Sequence, residues 1–173
     1  MKKVRIIFLD IDGVLNSEAF TRREFRERNY GNEFDGRFQI DPWAVSLLNE
    51  LVKRTDAHLV LSSTWRLGIK GLAFTQNALF LNGFEHNDKF LGVTPRLWRT
   101  EEGEPQFRGH EIQKWLDLFA LVDDPVQVES FGIIDDDADM AHLLPRLAQT
   151  NGTFGLTGWD CEKAEAILST KLS

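Results

Sequence analysis

The chain has 173 residues, 42% of them apolar, with 13 Phe and 5 Trp, enough to bury the core of one domain of ordinary size. Twenty basic against 27 acidic residues leave a net charge of −7, which argues against wholesale nucleic-acid binding. The single cysteine excludes an internal disulfide and fits a reducing compartment such as the cytoplasm, and no apolar run approaches the roughly 18 residues of a membrane span.

Val4-Arg5-Ile6-Ile7-Phe8-Leu9 is too short an apolar run for a signal peptide and is rich in branched residues. It reads as a strand buried on both faces. Asp10-Ile11-Asp12-Gly13-Val14-Leu15 then sets two carboxylates, two residues apart, at the strand's C-terminal end, where open α/β sheets bind ligands. Charge is costly to bury there unless something pairs with it. Asp10 suits a nucleophile or metal ligand, Asp12 a proton donor, and Gly13 a close approach of the backbone. A plain surface turn competes, because Asp and Gly are common turn formers.

Residues 16–39 hold Arg22, Arg23, Arg26 and Arg28 among Phe20, Phe25, Tyr30, Phe34 and Phe38. Arg interleaved with aromatics can grip a phosphate backbone and stack on bases. A flap with solvated Arg side chains explains the pattern equally simply and is the reading preferred here. Asp41-Pro42 starts a helix, Asp at the N-cap and Pro at the first position, with Val45, Leu48, Leu51 and Val52 giving helical periodicity to Arg54.

His58 to Leu61 is another short apolar strand, ending in Ser62-Ser63-Thr64-Trp65-Arg66. Hydroxyls and amides at a strand-to-helix junction donate naturally to phosphate oxygens, and Ser and Thr are also ordinary helix caps. Both hold if Ser62 serves a ligand while Ser63 or Thr64 caps. Trp65 and Arg66 then lie close to the phosphate, with core packing the other reading of Trp65.

Gly71 to Leu81 reads as a helix stopping at Asn82-Gly83, Phe90 to Val93 as a strand, and 101–105 as a loop. Arg108-Gly109-His110-Glu111-Ile112 opens an amphipathic helix, where Arg108 can stabilise anionic charge or simply be solvated. Phe131 to Ile134 is one more buried-type strand, and it runs into Asp135-Asp136-Asp137-Ala138-Asp139. Four carboxylates in five residues repel one another unless cations or water share the load. Two parallel strands ending in acids at one edge form an oxygen-rich pocket for a hard ion such as Mg²⁺; a solvated acidic loop is the alternative. An EF-hand does not fit, with Met140 and Arg146 where Gly and Glu are needed. A final helix runs from about Asp160 to Leu168. Strands alternating with helices predict an α/β fold with a mostly parallel sheet covered on both faces.

Taken in order, Asp10-x-Asp12-Gly13-Val14-Leu15, Ser62, a basic residue opening a helix, and Asp135-Asp136 with Asp139 resemble the haloacid dehalogenase-like (HAD) superfamily of phosphatases and phosphotransferases, over about residues 4–170. Leu61 to Arg66 and Ile133 to Met140 further resemble a small subgroup with few or no cap additions, some members of which are associated with RNA repair and polynucleotide end processing.

The resemblance implies a three-layer, Rossmann-like phosphatase domain over 1–173, with a flap at 14–40, a short insertion region at 67–107 and no substantial cap domain. It implies Mg²⁺-dependent phosphomonoester hydrolysis, with Asp10 forming an aspartyl-phosphate and Asp12 acting first as acid, then as base. Ser62 would hold a phosphoryl oxygen. Asp10, the Asp12 carbonyl and Asp135 would hold Mg²⁺, with Asp139 orienting metal-bound water and Asp136 a helper. Arg108 would stand where the family usually has Lys, in preference to Lys114, which is expected to face solvent. Ser63, Trp65, Arg66 and Gly13 are the further candidate substrate contacts. A site without a cap admits a large phosphorylated substrate, such as a polynucleotide end or a phosphoprotein. The alternatives are a 3′-phosphatase of polynucleotide ends and an idle phospho-ligand binder; intact Asp10 and Asp12 argue against the latter.

Overall fold

The computed structural model describes residues 2–27, 40–67, 71–97, 106–121 and 126–172. Five parallel strands, β1 (Lys2–Leu9), β2 (His58–Leu61), β3 (Phe90–Val93), β4 (Val126–Asp135) and β5 (Leu147–Gln149), form one sheet in the order β3-β2-β1-β4-β5. The helices are α1 (Glu18–Glu27), α2 (Pro42–Thr55), α3 (Gly71–Leu81), α4 (Arg108–Ala120) and α5 (Gly158–Ser169). None of them is long and apolar enough to cross a membrane.

The period-2 alternation of β1 divides the core. Ile7 and Leu9 face one side, where they pack with Leu48 and Leu51 of α2, Leu79 of α3 and Leu168 of α5. Ile6 and Phe8 face the other, with Ile112 of α4, Ile133 of β4 and Leu143 from a 3-10 turn at Ala141–Arg146. Phe8 is fully buried and meets Trp115 and Phe131 edge-on, at 5.5 and 5.8 Å between ring centroids. Burying one such ring contributes about 2–3 kcal/mol. Both faces are therefore covered, as the buried-strand pattern predicts.

Local signals set the helix ends. The Asp41 carboxylate accepts from Trp43 N at 2.9 Å, with Pro42 opening α2. Thr157 and Asp160 close a capping box on α5. Two elements escape a reading of hydrophobic runs. β4 begins at Val126, ahead of the apolar run, where Gln127 and Glu129 interrupt the hydrophobic pattern and the register against β1 shifts at Glu129. β5 is only three residues long. Residues 18–27, read as part of a flap, form α1, capped by Ser17 Oγ accepting from Phe20 N at 3.0 Å. Arg28, Tyr30, Phe34 and Phe38, with the loop at 101–105, lie outside the described residues.

Register fixes what matters for chemistry. Leu9 pairs with Leu61 on one side and Ile134 on the other. Asp10 N donates to Ile134 O at 2.9 Å, and Ser62 N donates to Leu9 O at 2.8 Å. Asp10, Ser62 and Asp135 thus leave three adjacent strands at one level of the sheet's C-terminal edge.

Candidate active site

Asp10 and Asp135 are both buried, side by side at the ends of β1 and β4. Asp10 Oδ1 accepts from Ile11 N at 2.8 Å, and Asp135 Oδ1 accepts from Asp137 N at 3.0 Å. Asp135 Oδ2 is buried without a hydrogen-bond partner. Burial raises the Asp10 pKa against the pull of Arg108 and the Ser63 hydroxyl. Burial and then the charge of Asp10 push Asp135 up to about 8.

Arg108 is the cation between them. Its Nη1 lies 3.8 Å from Asp10 Oδ1 and its Nε 3.8 Å from Asp135 Oδ2. Burial works against the guanidinium charge, but Asp10, Asp135 and Asp139 outweigh it and the pKa is raised. Arg108 Nη1 is buried with no hydrogen-bond acceptor, so a donor points into the site unspent. Lys114 is exposed, as expected of a residue further along the helix.

The first turn of α4 explains this placement. Asp139 Oδ2 accepts from Arg108 N at 3.1 Å, and Asp139 O accepts from Gly109 N at 3.2 Å. A Cβ on Gly109 would fall 2.0 Å from Met140 O, so only glycine lets the helix come this close. Asp139 thus ties the acidic loop to α4, while its Oδ1 stays buried and unpartnered.

From β2, Ser62 presents a fully buried hydroxyl with no partner, and Ser63 Oγ caps the following 3-10 turn by accepting from Trp65 N at 3.3 Å. An orphaned buried hydroxyl is costly unless a ligand satisfies it. Trp65 does two things. Its ring is buried against Phe74, with centroids 5.9 Å apart, and its Nε1 donates to Asp12 Oδ1 at 2.9 Å. Arg66 serves the scaffold. It donates to Thr94 O at 2.9 Å and Ser63 O at 2.7 Å and forms a buried ion pair with Glu111 of α4. Its donors point away from a substrate role, and Glu111 also accepts from Leu97 N at 3.0 Å.

Asp12 is exposed, and its Oδ1 also accepts from Asn16 Nδ2 at 2.8 Å. Gly13, at φ +73°, adopts a conformation that L side chains rarely reach. A Cβ there would lie 2.2 Å from Asp136 Oδ2, and one on Gly152 would lie 2.6 Å from the same atom. The two glycines cradle Asp136, whose pKa burial raises.

Carboxylate oxygens of Asp10, Asp135 and Asp136 lie within 4.8 Å of one another. Three hard oxygen donors around an unpartnered Asp135 Oδ2 suit Mg²⁺. Asp136 joins this group, whereas the Asp139 side chain is turned to α4 and the Asp12 side chain to Trp65 and Asn16. Gly109 and Glu111 carry no functional signal in the sequence until the fold brings each to its partner, and Asn16 carries only a weak one. Asn16 lies four residues after Asp12, a spacing at which an amide can bond back to a nearby carboxylate.

A family model described as the HAD domain in Swiss Army Knife RNA repair proteins matches residues 6–161. No curated protein and no solved structure matches the chain.

Proposed function

The chain belongs to the family of HAD domains in Swiss Army Knife RNA repair proteins, and from this we propose that it is a Mg²⁺-dependent phosphomonoester hydrolase working through an aspartyl-phosphate. The family implies a phosphatase-type hydrolase. The observation that carries the finer reading is the convergence of buried Asp10 and Asp135 on Arg108, with the Ser62 hydroxyl unpartnered.

Asp10 attacks phosphorus, a carboxylate oxygen–phosphorus bond forms, and the ester P–O bond breaks with its electron pair going to the leaving oxygen. Asp12 gives that oxygen a proton. Asp12, now a carboxylate, takes a proton from water as the water oxygen attacks the aspartyl-phosphate, which frees phosphate and restores Asp10. Arg108 and the Ser62 hydroxyl donate to phosphoryl oxygens and offset their charge. Asp10, Asp135 and Asp136 would hold Mg²⁺, which when bound neutralises the charge of nucleophile and substrate. Asp139 keeps the first turn of α4, and hence Arg108, in place.

Hydrolysis of a generic aryl phosphate, with Mg²⁺ and with chelator, tests the reading. Activity is expected only with the metal and not in Asp10→Asn; activity surviving in that variant refutes the nucleophile.

A second reading narrows the substrate to 3′-phosphates on polynucleotide ends, and the RNA-repair description of the matched family favours it. The probe is an oligonucleotide 3′-phosphate against a mononucleotide 3′-phosphate. A preference for the oligomer supports it, and equal rates count against it.

A further inference from the structure

Asp12 is held more tightly than an exposed proton donor needs to be. Trp65 Nε1 at 2.9 Å and Asn16 Nδ2 at 2.8 Å both donate to the same oxygen, Oδ1. Indole nitrogen is a donor only, so its role admits no ambiguity. The orientation of the Asn16 amide is fixed as well. Its Oδ1 accepts from Gly13 N at 3.1 Å, which leaves the NH₂ group facing Asp12. An oxygen that already accepts two hydrogen bonds is a poor place for the transferable proton. Among the described residues, the other oxygen, Oδ2, accepts only one long hydrogen bond, from the Thr64 hydroxyl at 3.5 Å.

We propose that Trp65 and Asn16 are positioning residues that clamp Asp12 Oδ1, so that Oδ2 carries the proton given to the leaving-group oxygen. The inference rests on the phosphatase reading above and deepens it. In the step concerned, the Oδ2–H bond breaks as the P–O bond breaks. The proton passes to the leaving oxygen, and Asp12 is left as a carboxylate whose Oδ1 keeps both donors. Trp65 couples this geometry to the core, since its ring packs against Phe74 while its nitrogen reaches the site. The two donors come from different segments, the turn after β1 and the turn after β2. A rotation of Asp12 therefore breaks bonds on both sides.

The test uses leaving groups of different basicity. Phenolate is a poor leaving group and needs the proton, whereas dinitrophenolate departs with little help. For phenyl phosphate and dinitrophenyl phosphate, kcat/KM reports the step in which the leaving group departs. In Trp65→Phe, which keeps a ring beside Phe74 but lacks the N–H, and in Asn16→Ala, kcat/KM for phenyl phosphate is expected to fall at least about tenfold further than for dinitrophenyl phosphate. Equal losses on both esters, as general loosening of the site would give, overturn the clamp. So does the absence of any loss. If Trp65→Phe fails to fold by circular dichroism, the same ratio in Asn16→Ala decides. Wild-type protein that hydrolyses neither ester refutes the phosphatase reading and this inference with it. A wild type active on both, with equal losses in the variants, refutes only the clamp.

Discussion

Replacing Gly109 by Ala puts the seating of α4 to a quantitative test. The added Cβ would lie 2.0 Å from Met140 O, 2.4 Å from Met140 C and 2.9 Å from Met140 Cα. All three are backbone atoms, so no side chain can swing away. Relief requires the first turn of α4 to withdraw by about 1 Å, a displacement large enough to matter at a reacting centre. The Arg108 N–Asp139 Oδ2 bond, 3.1 Å in the native protein, would then stretch beyond hydrogen-bonding range. The guanidinium would move off the two carboxylates it faces at 3.8 Å. Overpacking costs about 1–3 kcal/mol and a lost helix cap about 1 kcal/mol, against a gain of about 0.5–1 kcal/mol from Ala over Gly in a helix. The net loss is on the order of 1–3 kcal/mol, a fall in Tm of several degrees for a chain of this size. Misplacement by about 1 Å predicts a fall of roughly 100-fold in kcat/KM for an aryl phosphate. Calorimetry and steady-state kinetics on the purified variant measure both. A Gly109→Ala protein with the wild-type Tm and kcat/KM within twofold of wild type would refute the argument that this glycine sets the position of Arg108.

Gly13→Ala forces a strained backbone and a collision with Asp136 Oδ2, so titration calorimetry should show Mg²⁺ affinity reduced by at least about tenfold, with a stability cost of only about 1–2 kcal/mol because a side chain can yield. Unchanged affinity would remove Asp136 from the ion site. Asp135, near 4 when unfolded and about 8 when folded, binds an extra proton in the folded state between those values. The stability of the metal-free protein relative to Asp135→Asn should therefore fall as pH rises from about 4 to 8, by at most about 1.4 kcal/mol per pH unit, and added Mg²⁺ should restore more stability at the upper end. Urea melts across that range, with chelator or Mg²⁺, read the slope; a rise with pH contradicts the burial argument. Glu111→Ala leaves the buried Arg66 guanidinium without its carboxylate and should cost about 3–5 kcal/mol in urea unfolding. A loss under about 1 kcal/mol would show that the backbone carbonyls alone satisfy Arg66.

What the chain discloses before folding is the content of its buried strands and of the acids that end them. β1, β2 and β3 are short apolar runs with turn residues behind them, and Asp41-Pro42 and Asn82-Gly83 mark helix ends by known stereochemistry. The convergence of Asp10, Ser62 and Asp135 also follows, since parallel strands must present their C-terminal ends on one edge. The remainder depends on non-local placement. Arg66 looks like a phosphate ligand beside two serines, and only the docking of α4 supplies Glu111 to claim it. Asp139 and Asp136 are equivalent letters in an acidic run. The glycine pair Gly13 and Gly152, one of them far along the chain, packs around Asp136 beside Asp10 and Asp135, and the first turn of α4 engages the Asp139 carboxylate. The N-terminal half of β4 is hidden because Gln127 and Glu129 lie on a partly exposed stretch whose register against β1 shifts at Glu129, which leaves neither an apolar run nor a clean period of two.

The proposed covalent step can be tested directly. Acid-quenched protein, taken during turnover of an aryl phosphate with Mg²⁺ and digested, should yield one peptide heavier by a phosphoryl group, the one containing Asp10, with the label removed by hydroxylamine as an acyl phosphate requires. Label on any other residue, or none during active turnover together with undiminished hydrolysis in Asp10→Asn, would contradict it.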